Sequence, residues 1–146
     1  MATYNSATYD AQALAAGNAA KFIDTAELVS GKLAFFQATF TSPAGGLLST
    51  DSVNLGTIPS GFAVVPALSS VSIDGAGGAG VLSIGNAADS VAYSATATVA
   101  SAGNVGFGNK PVAAVNSART DVLLESSTTV TAARVLTVSI ALVSSN

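Results

Sequence analysis

The sequence predicts an all-β protein, a single antiparallel β-sandwich of jelly-roll type with about eight strands and an N-terminal arm. Three observations predict this fold. From residue 32 onward, apolar and polar residues alternate with period two. Clusters of Gly, Pro, Asn and Asp interrupt these stretches at intervals of roughly 8–15 residues. No helical pattern of about 10–15 residues lies between them, which argues against a parallel α/β sheet.

Residues 1–31 differ from the rest and are predicted to form the arm, with the sandwich domain spanning residues 32–146. After a polar lead, the alanine-rich stretches 11–16 and 18–24 predict short helical turns. Such short segments are marginal as free helices because nucleation is costly. We therefore expect the arm to need a surface to pack on, and to become ordered only upon assembly.

The sandwich domain contains nine segments that are candidates for strands. The stretch 75–80, with four glycines, is predicted to be a mobile or sharply turned loop, and the segment 102–109 is also predicted to be loop-like. The clearest strand is the last, in which Leu136, Val138 and Ile140 alternate with polar or smaller residues. In chain order, the predicted strands are 33–41, 51–57, 62–65, 68–74, 81–85, 90–99, 112–115, 120–125 and 134–143.

Composition indicates a protein that works through contacts with other proteins. Apolar residues make up 49% of the chain and charged residues 9%, against a usual charged share of about 25%. The polar surface is therefore mostly Ser, Thr, Asn and Gly, and a surface with so few charges does little to prevent association with other proteins. The net charge is −3 and the five basic residues are scattered singly, so we expect no binding to nucleic acid.

The absence of cysteine and histidine removes most catalytic nucleophile–base pairs and most zinc, copper and haem sites. The N-terminus lacks the pattern of a secretory signal. No stretch approaches the roughly 20 apolar residues of a membrane helix. We therefore expect a soluble protein made in the cytoplasm, with no enzymatic activity, no cofactor or metal and no contact with a membrane.

Two patterns that could carry chemistry are better explained structurally. The stretch Gly75–Gly80 matches GxGxxG, but it leads into a predicted strand and not into the helix that would hold a pyrophosphate. Asp121 and Glu125 are predicted on one face of a strand about 13 Å apart, where solvated edge charges are the simpler interpretation. A small-ligand module, such as a carbohydrate-binding sandwich, stays open as a minor alternative.

Five aromatic residues are candidates for contacts with other subunits. Phe35 and Phe36 are neighbours on a predicted strand and must face opposite sides of it, so at least one of them needs cover from beyond its own sheet. Anchoring of the core is the favoured interpretation for these two. Tyr4 and Tyr9 lie in the arm, where the alternatives are a disordered tail and contact with a neighbouring subunit. Phe22, also in the arm, is the fifth candidate for a contact with another subunit.

Three segments together resemble the small virion proteins of tailed bacteriophages. Leu55–Phe62, with the sequence LGTIPSGF, is similar to a turn found in many of them. Ile84–Tyr93, IGNAADSVAY, is similar to a segment that precedes a strand, and Arg134–Val143 looks like their terminal strand. Where that family often has glycine before the last strand, this chain has Ala132-Ala133-Arg134, which leaves the geometry of that turn open.

The resemblance implies a β-sandwich component of the virion, of the capsid decoration or cement type. Such a protein binds the outside of the major capsid protein shell, as a homodimer or homotrimer, and reinforces it. Its location would be the capsid surface of the virion. The alternative that stays open is a head- or tail-fibre or appendage protein that contacts the host surface.

Overall fold

Ten strands in two sheets make up the part of the chain that the computed structural model describes, residues 2–6, 33–108, 111 and 115–144. Within the described ranges, no helix has the length and apolar character to cross a membrane. The strands are β1 (Thr3–Asn5), β2 (Leu33–Thr41), β3 (Ser52–Ile58), β4 (Phe62–Val64), β5 (Ser70–Ile73), β6 (Val81–Gly85), β7 (Ala97–Thr98), β8 (Gly103–Gly106), β9 (Thr120–Ser126) and β10 (Val135–Ser144). A 3₁₀ turn at Pro66–Leu68 lies between β4 and β5.

The strand order identifies the sandwich as a jelly roll. Sheet I has the order β1-β3-β9-β6-β7 and sheet II the order β2-β10-β5-β8, with β4 also paired to β10. Without β1 and β4, the eight remaining strands run first–eighth–third–sixth in one sheet and second–seventh–fourth–fifth in the other, which is the jelly-roll arrangement. All pairs are antiparallel except β1 with β3. The predicted all-β sandwich is therefore confirmed, with two additional short strands.

The core forms where the two sheets face each other. Strands β2 and β10 pair without a register shift from Leu33 opposite Val143 to Thr41 opposite Val135. Alternate side chains on each strand point inward, as the period-two pattern requires. The buried residues of this pair include Ala34, Phe36, Ala38 and Phe40 of β2 and Leu136, Val138 and Ile140 of β10.

The predicted strand 90–99 is wrong over most of its length, because only its end forms a regular strand. The side chain of Asn86 accepts hydrogen bonds from the backbone N–H groups of Ala88 and Asp89. Asp89 Oδ1 accepts another from Val91 N–H at 3.0 Å. Asn and Asp side chains that satisfy nearby backbone groups favour turns over strands. The chain therefore turns here before β7 begins.

Two predicted loops have more structure than the sequence indicated. The segment 102–109 contains β8, which pairs with β5 over four residues. The glycine-rich stretch 75–80 turns sharply and is packed against Val99, which accepts a hydrogen bond from Gly77 N–H and donates one to the carbonyl of Gly80. A Cβ atom at Gly77 would lie 2.2 Å from the Val99 carbonyl oxygen. Glycine is needed at position 77 because its backbone lies too close to that of Val99 to leave room for a side chain.

Other predicted boundaries shift by a few residues. The predicted strand 68–74 begins at Ser70, because the 3₁₀ turn occupies the residues before it. Of the predicted strand 112–115, residues 112–114 lie outside the described residues. The predicted arm is described only at residues 2–6, where β1 pairs in parallel with β3. Its predicted helical turns also lie outside the described residues.

Candidate interaction surface

Within its strands, the outer face of sheet II carries no charged side chain; one carboxylate, that of Asp74, lies just beyond β5, where it accepts a hydrogen bond from Val135 N–H. Its side chains alternate with the buried ones along each strand, and the register aligns them in rows across the sheet. We call this surface the neutral face. It consists of Phe35, Gln37, Thr39 and Thr41 of β2, Val135, Thr137 and Ser139 of β10, Ser70 and Ser72 of β5, and Asn104 of β8.

Hydroxyl and amide groups form cross-strand rows on the neutral face. One row runs through Thr39, Thr137, Ser72 and Asn104, which are opposite one another in successive strand pairs. The two threonine hydroxyls lie 3.4 Å apart, and in the next row Gln37 Nε2 donates to the Ser139 hydroxyl at 3.0 Å. The hydroxyl groups of these rows still have hydrogen-bonding capacity, since a hydroxyl offers one donor and two acceptor positions. The face can therefore bind a polar but uncharged partner surface.

Phe35 gives the neutral face an apolar end. Its side chain is 42% exposed, whereas that of Phe36 is 6% exposed and lies in the core. The two rings thus point to opposite sides of β2, as the sequence predicted. The favoured interpretation that both rings anchor the core is confirmed for Phe36 and wrong for Phe35. Opposite Phe35 on β10 is Ala141, so the ring stands beside a small neighbour. An exposed aromatic ring at the end of a flat polar face is a suitable anchor for a protein contact.

The outer face of sheet I has a different character. It carries charge at Asp121 and Glu125, which lie on the same side of β9 as the sequence predicted. Glu125 stands between Ser52 of β3 and Ser83 of β6, and burial raises the pKa of its carboxyl group. The segment that contains Ser90 covers part of this face. There the hydroxyl of Ser83 donates a hydrogen bond to the carbonyl of Ser90 at 2.9 Å.

Tyr4 packs within its own subunit. It is half-buried on β1, and its ring centroid lies 5.8 Å from that of Phe40 at an interplanar angle of 46°. Tyr4 belongs to sheet I and Phe40 to sheet II, so this contact closes one side of the sandwich. Tilted aromatic pairs at this separation are favourable. Contact of Tyr4 with another subunit stays a prediction.

Of the five aromatic residues predicted from sequence, the three that the structure describes are not brought together as one site. Phe35 is exposed on sheet II, Phe36 is in the core and Tyr4 lies at the side of the sandwich. Tyr9 and Phe22 lie outside the described residues. The polar members of the neutral face were not predicted from the sequence. Their signal was present in the second half of β2 and the first half of β10, where Gln37, Thr39 and Thr41, and Thr137 and Ser139, alternate with apolar residues.

Among the residues that the structure describes, no group of three or more Asp and Glu side chains is placed to hold a metal ion. The two outward carboxylates of β9 are four residues apart on one strand. Within that part of the chain, the feature with the most distinctive chemistry is the neutral face.

Comparison with known proteins gives no relative by sequence. No protein-family profile matches the chain, and no curated protein is significantly similar in sequence. Solved structures do match the fold. A chain of the cyanophage Pam1 capsid asymmetric unit has a TM-score of 0.53 at 17% identity, with 77% of this chain and 83% of that chain covered.

Two further structures give similar values. For the acid-stable capsid of Helicobacter pylori bacteriophage KHP30, the TM-score is 0.54 at 15% identity, covering 79% of this chain and 90% of that chain. For the capsid of Ralstonia phage GP4, it is 0.54 at 14% identity, covering 81% and 88%. This chain therefore has the fold of chains found in three phage capsid structures.

Proposed function

We propose that this protein is a non-enzymatic structural component of a phage virion, a decoration or cement protein that binds and stabilises the outer surface of the capsid. Its partners would be the major capsid protein and further copies of itself, as a homodimer or homotrimer. The observation that carries the proposal is a jelly-roll fold like that of chains in three phage capsids, combined with one outer face whose strands carry no charged side chain.

The size of the matched chains supports an accessory role. Because 77–81% of this chain aligns with 83–90% of each matched chain, all three are shorter than its 146 residues. A single small sandwich uses most of its apolar residues to build one core. Such a chain is better suited to sit on a shell than to form the extensive contacts that close one.

The chemistry of the neutral face supports binding to a protein surface. With no charged residue among its ten members, burial of this face removes no ionised group from water, which would be costly. Thr and Ser hydroxyls can pair with backbone or side-chain groups of the partner. Many identical copies on one shell would add weak contacts through multivalency. Capsid binding through this face should therefore depend little on salt.

Reconstitution on shells tests the proposal. Purified protein is mixed with capsids that lack it, and co-sedimentation measures binding. The variant Thr137→Lys places a charge at the centre of the neutral face, and we expect it to weaken binding at least about tenfold, since an unpaired charge in an interface is costly. The matched control Thr98→Lys changes an exposed threonine of β7 in sheet I and should bind like the original protein.

Salt titration adds a second criterion. Between about 0.1 M and about 1 M salt the Debye length falls from roughly 10 Å to roughly 3 Å, and binding through the neutral face should change little over that range. Failure to bind shells, or equal loss of binding in both lysine variants, would overturn the proposal. Binding to host cells in place of shells would support the fibre or appendage role instead.

A further inference from the structure

We propose that copies of this protein exchange β1. In the self-associated form, β1 of one copy lies beside β3 of a second copy and makes there the contacts that it makes with β3 within one chain. This inference rests on the self-association in the proposed function and names the contact that carries it, but it does not need the capsid as a partner.

β1 is an addition to the jelly roll and not one of its eight strands. It pairs in parallel with β3 over three residues and with no other of the described strands. The jelly-roll arrangement is complete without it. Transfer of β1 to a second copy would therefore leave all other pairings between the described strands unchanged.

We call the place beside β3 that β1 occupies the β1 site. Asp51 lies at its start and is 4% exposed. Its Oδ2 accepts a hydrogen bond from Leu48 N–H at 3.0 Å, and its own N–H donates to the carbonyl of Leu48 at 3.1 Å. These two bonds hold the carboxylate in place without any contribution from β1. The second carboxylate oxygen accepts from Ala2 N–H at 2.9 Å, and a buried carboxylate needs such a donor. The β1 site thus requires a strand that presents an N–H at this point.

The other contacts of segment 2–6 do not depend on which copy supplies it. The N–H of Ser6 donates to the carbonyl of Asn54 at 2.8 Å, and its hydroxyl donates to the carbonyl of Leu55 at 2.7 Å. The ring of Tyr4 packs on that of Phe40. These partners belong to β2 and β3, so a second copy offers the same set. Exchange of an identical element between copies therefore loses none of these contacts.

The connection between β1 and β2 is long enough for the exchange. Residues 7–32, which are 26 in number, lie between Ser6 and Leu33, and 26 residues span at most about 90 Å. A folded domain of this size is only about 40 Å across. Once two copies associate, the β1 site of the neighbour is therefore within reach. Binding there then occurs within one assembly, at a high effective concentration.

Exchange of β1 would make the association of copies persistent. Reciprocal exchange closes a dimer about a twofold axis, and cyclic exchange closes a trimer about a threefold axis. In the dimer, the two copies separate only when both copies of β1 have left their sites. A shell component held together in this way would keep its oligomeric form at low concentration.

Engineered cysteines test the exchange, because the chain has no cysteine of its own. The hydroxyls of Thr3 and Ser52 lie 3.4 Å apart, so cysteines at these positions are within reach of a disulfide. The single variants Thr3→Cys and Ser52→Cys are unfolded together, refolded at high concentration and oxidised. We expect a disulfide between the two different chains, detected by non-reducing electrophoresis and by mass spectrometry of the joined peptides.

The single variants Thr39→Cys and Thr137→Cys are the matched control. Their hydroxyls also lie 3.4 Å apart, but in the β2–β10 pair, which belongs to the jelly roll and is not exchanged. Treated in the same way, this pair should give at least about tenfold less linked product, because its cysteines then lie in separate copies beyond the reach of a disulfide. Equal yields from the two pairs would overturn the inference.

A measurement on the unaltered protein does not depend on the folding of any variant. Isotope-labelled and unlabelled copies are refolded together, and nuclear Overhauser effects between copies are recorded by isotope filtering. We expect such an effect between the rings of Tyr4 and Phe40, whose centroids lie 5.8 Å apart. The effect between Phe36 and Ile140, which are opposite each other in the β2–β10 pair, should occur only within one copy.

Two results of these measurements would overturn the inference. One is a protein that is monomeric at every concentration in sedimentation. The other is an oligomer in which Tyr4 contacts only Phe40 of its own chain.

The two proposals fail separately. Copies that exchange β1 and do not bind shells would contradict the decoration role and leave the exchange intact. Copies that bind shells and keep β1 beside their own β3 would contradict the exchange and leave the decoration role intact.

Discussion

Asp51 binds the start of the chain, since its Oδ1 accepts a hydrogen bond from the backbone N–H of Ala2 at 2.9 Å. The other carboxylate oxygen accepts from Leu48 N–H at 3.0 Å, and the residue is 4% exposed. One buried carboxylate therefore holds β1 beside β3 and stabilises the turn that precedes β3. β1 brings Tyr4 to Phe40, so this contact also supports the closed side of the sandwich.

Replacement of Asp51 should loosen this end of the fold. In Asp51→Asn, one acceptor oxygen becomes an NH₂ group that faces a backbone N–H, and hydrogen bonds to charged groups contribute roughly 1.5–3 kcal/mol each. We expect the free energy of unfolding to fall by about 1–3 kcal/mol, measured by urea denaturation. Asp121→Asn, at an exposed position of sheet I, is the control and should change it by about 0.5 kcal/mol or less. Equal effects would contradict the assigned role.

Gly85 should not tolerate a side chain. A Cβ atom there would lie 2.2 Å from the carbonyl oxygen of Asp89 and 2.4 Å from the carbonyl carbon of Ser90. We expect Gly85→Ala to lower the free energy of unfolding by about 1–3 kcal/mol through overpacking. Gly106→Ala is the matched control, because a Cβ at that strand position meets nothing within 4 Å. Thermal unfolding of both variants checks the prediction, which is contradicted if the two variants have the same midpoint temperature of unfolding.

Ala133 is held in a left-handed conformation, with φ of 53°, in the turn where the resembled virion proteins often have glycine. For a residue with a Cβ this conformation costs roughly 1–2 kcal/mol. We expect Ala133→Gly to raise the free energy of unfolding by about 0.5–1 kcal/mol, the glycine's greater freedom in the unfolded chain offsetting part of the gain. Ala132→Gly, next to it but without positive φ, should lower it. Destabilisation of both variants would refute the prediction.

The two adjacent phenylalanines should respond in opposite ways. Phe36→Ala removes a core ring, and we expect a loss of about 3–5 kcal/mol in the free energy of unfolding. Phe35→Ser removes an exposed ring, so unfolding should change little while self-association and shell binding weaken. Denaturation and co-sedimentation on the same samples separate the two effects. Strong destabilisation by Phe35→Ser would show that this ring serves the fold and not a contact.

The raised pKa of Glu125 gives stability a specific pH dependence. Burial raises this pKa, so the folded protein keeps a proton at pH values where the unfolded chain has lost it. Stability from this group therefore falls as pH rises through the raised pKa. Glu125→Gln should increase the free energy of unfolding at pH about 7 and have little effect at pH about 3, below the ordinary Glu pKa of about 4.3. Denaturation at both pH values measures this. Asp121→Asn removes a negative charge from the same strand, and an identical profile for it would argue against burial as the cause.

Strong alternation made some elements predictable from sequence. The bounds of β2 were predicted correctly, because four inward apolar residues alternate with polar ones and Phe35 between Ala34 and Phe36 must face outward. β6 was predicted equally well, and β10 to within one residue at each end. After Gly85, the alternating pattern did not lead to the predicted strand, because the side chains of Asn86 and Asp89 form hydrogen bonds with nearby backbone N–H groups and turn the chain. β8 carried no pattern to detect, since two of its four residues are glycine.

By itself, the sequence determined the class of the fold, the scarcity of charge, the lack of histidine and cysteine, and which side chains of a strand share a face. Only the tertiary structure decided which strands are neighbours. Thr39, Ser72, Asn104 and Thr137 form one row although they are remote in sequence. Period-two alternation sets the side of a sheet on which a residue lies, but pairing is set by long-range packing and backbone hydrogen bonds.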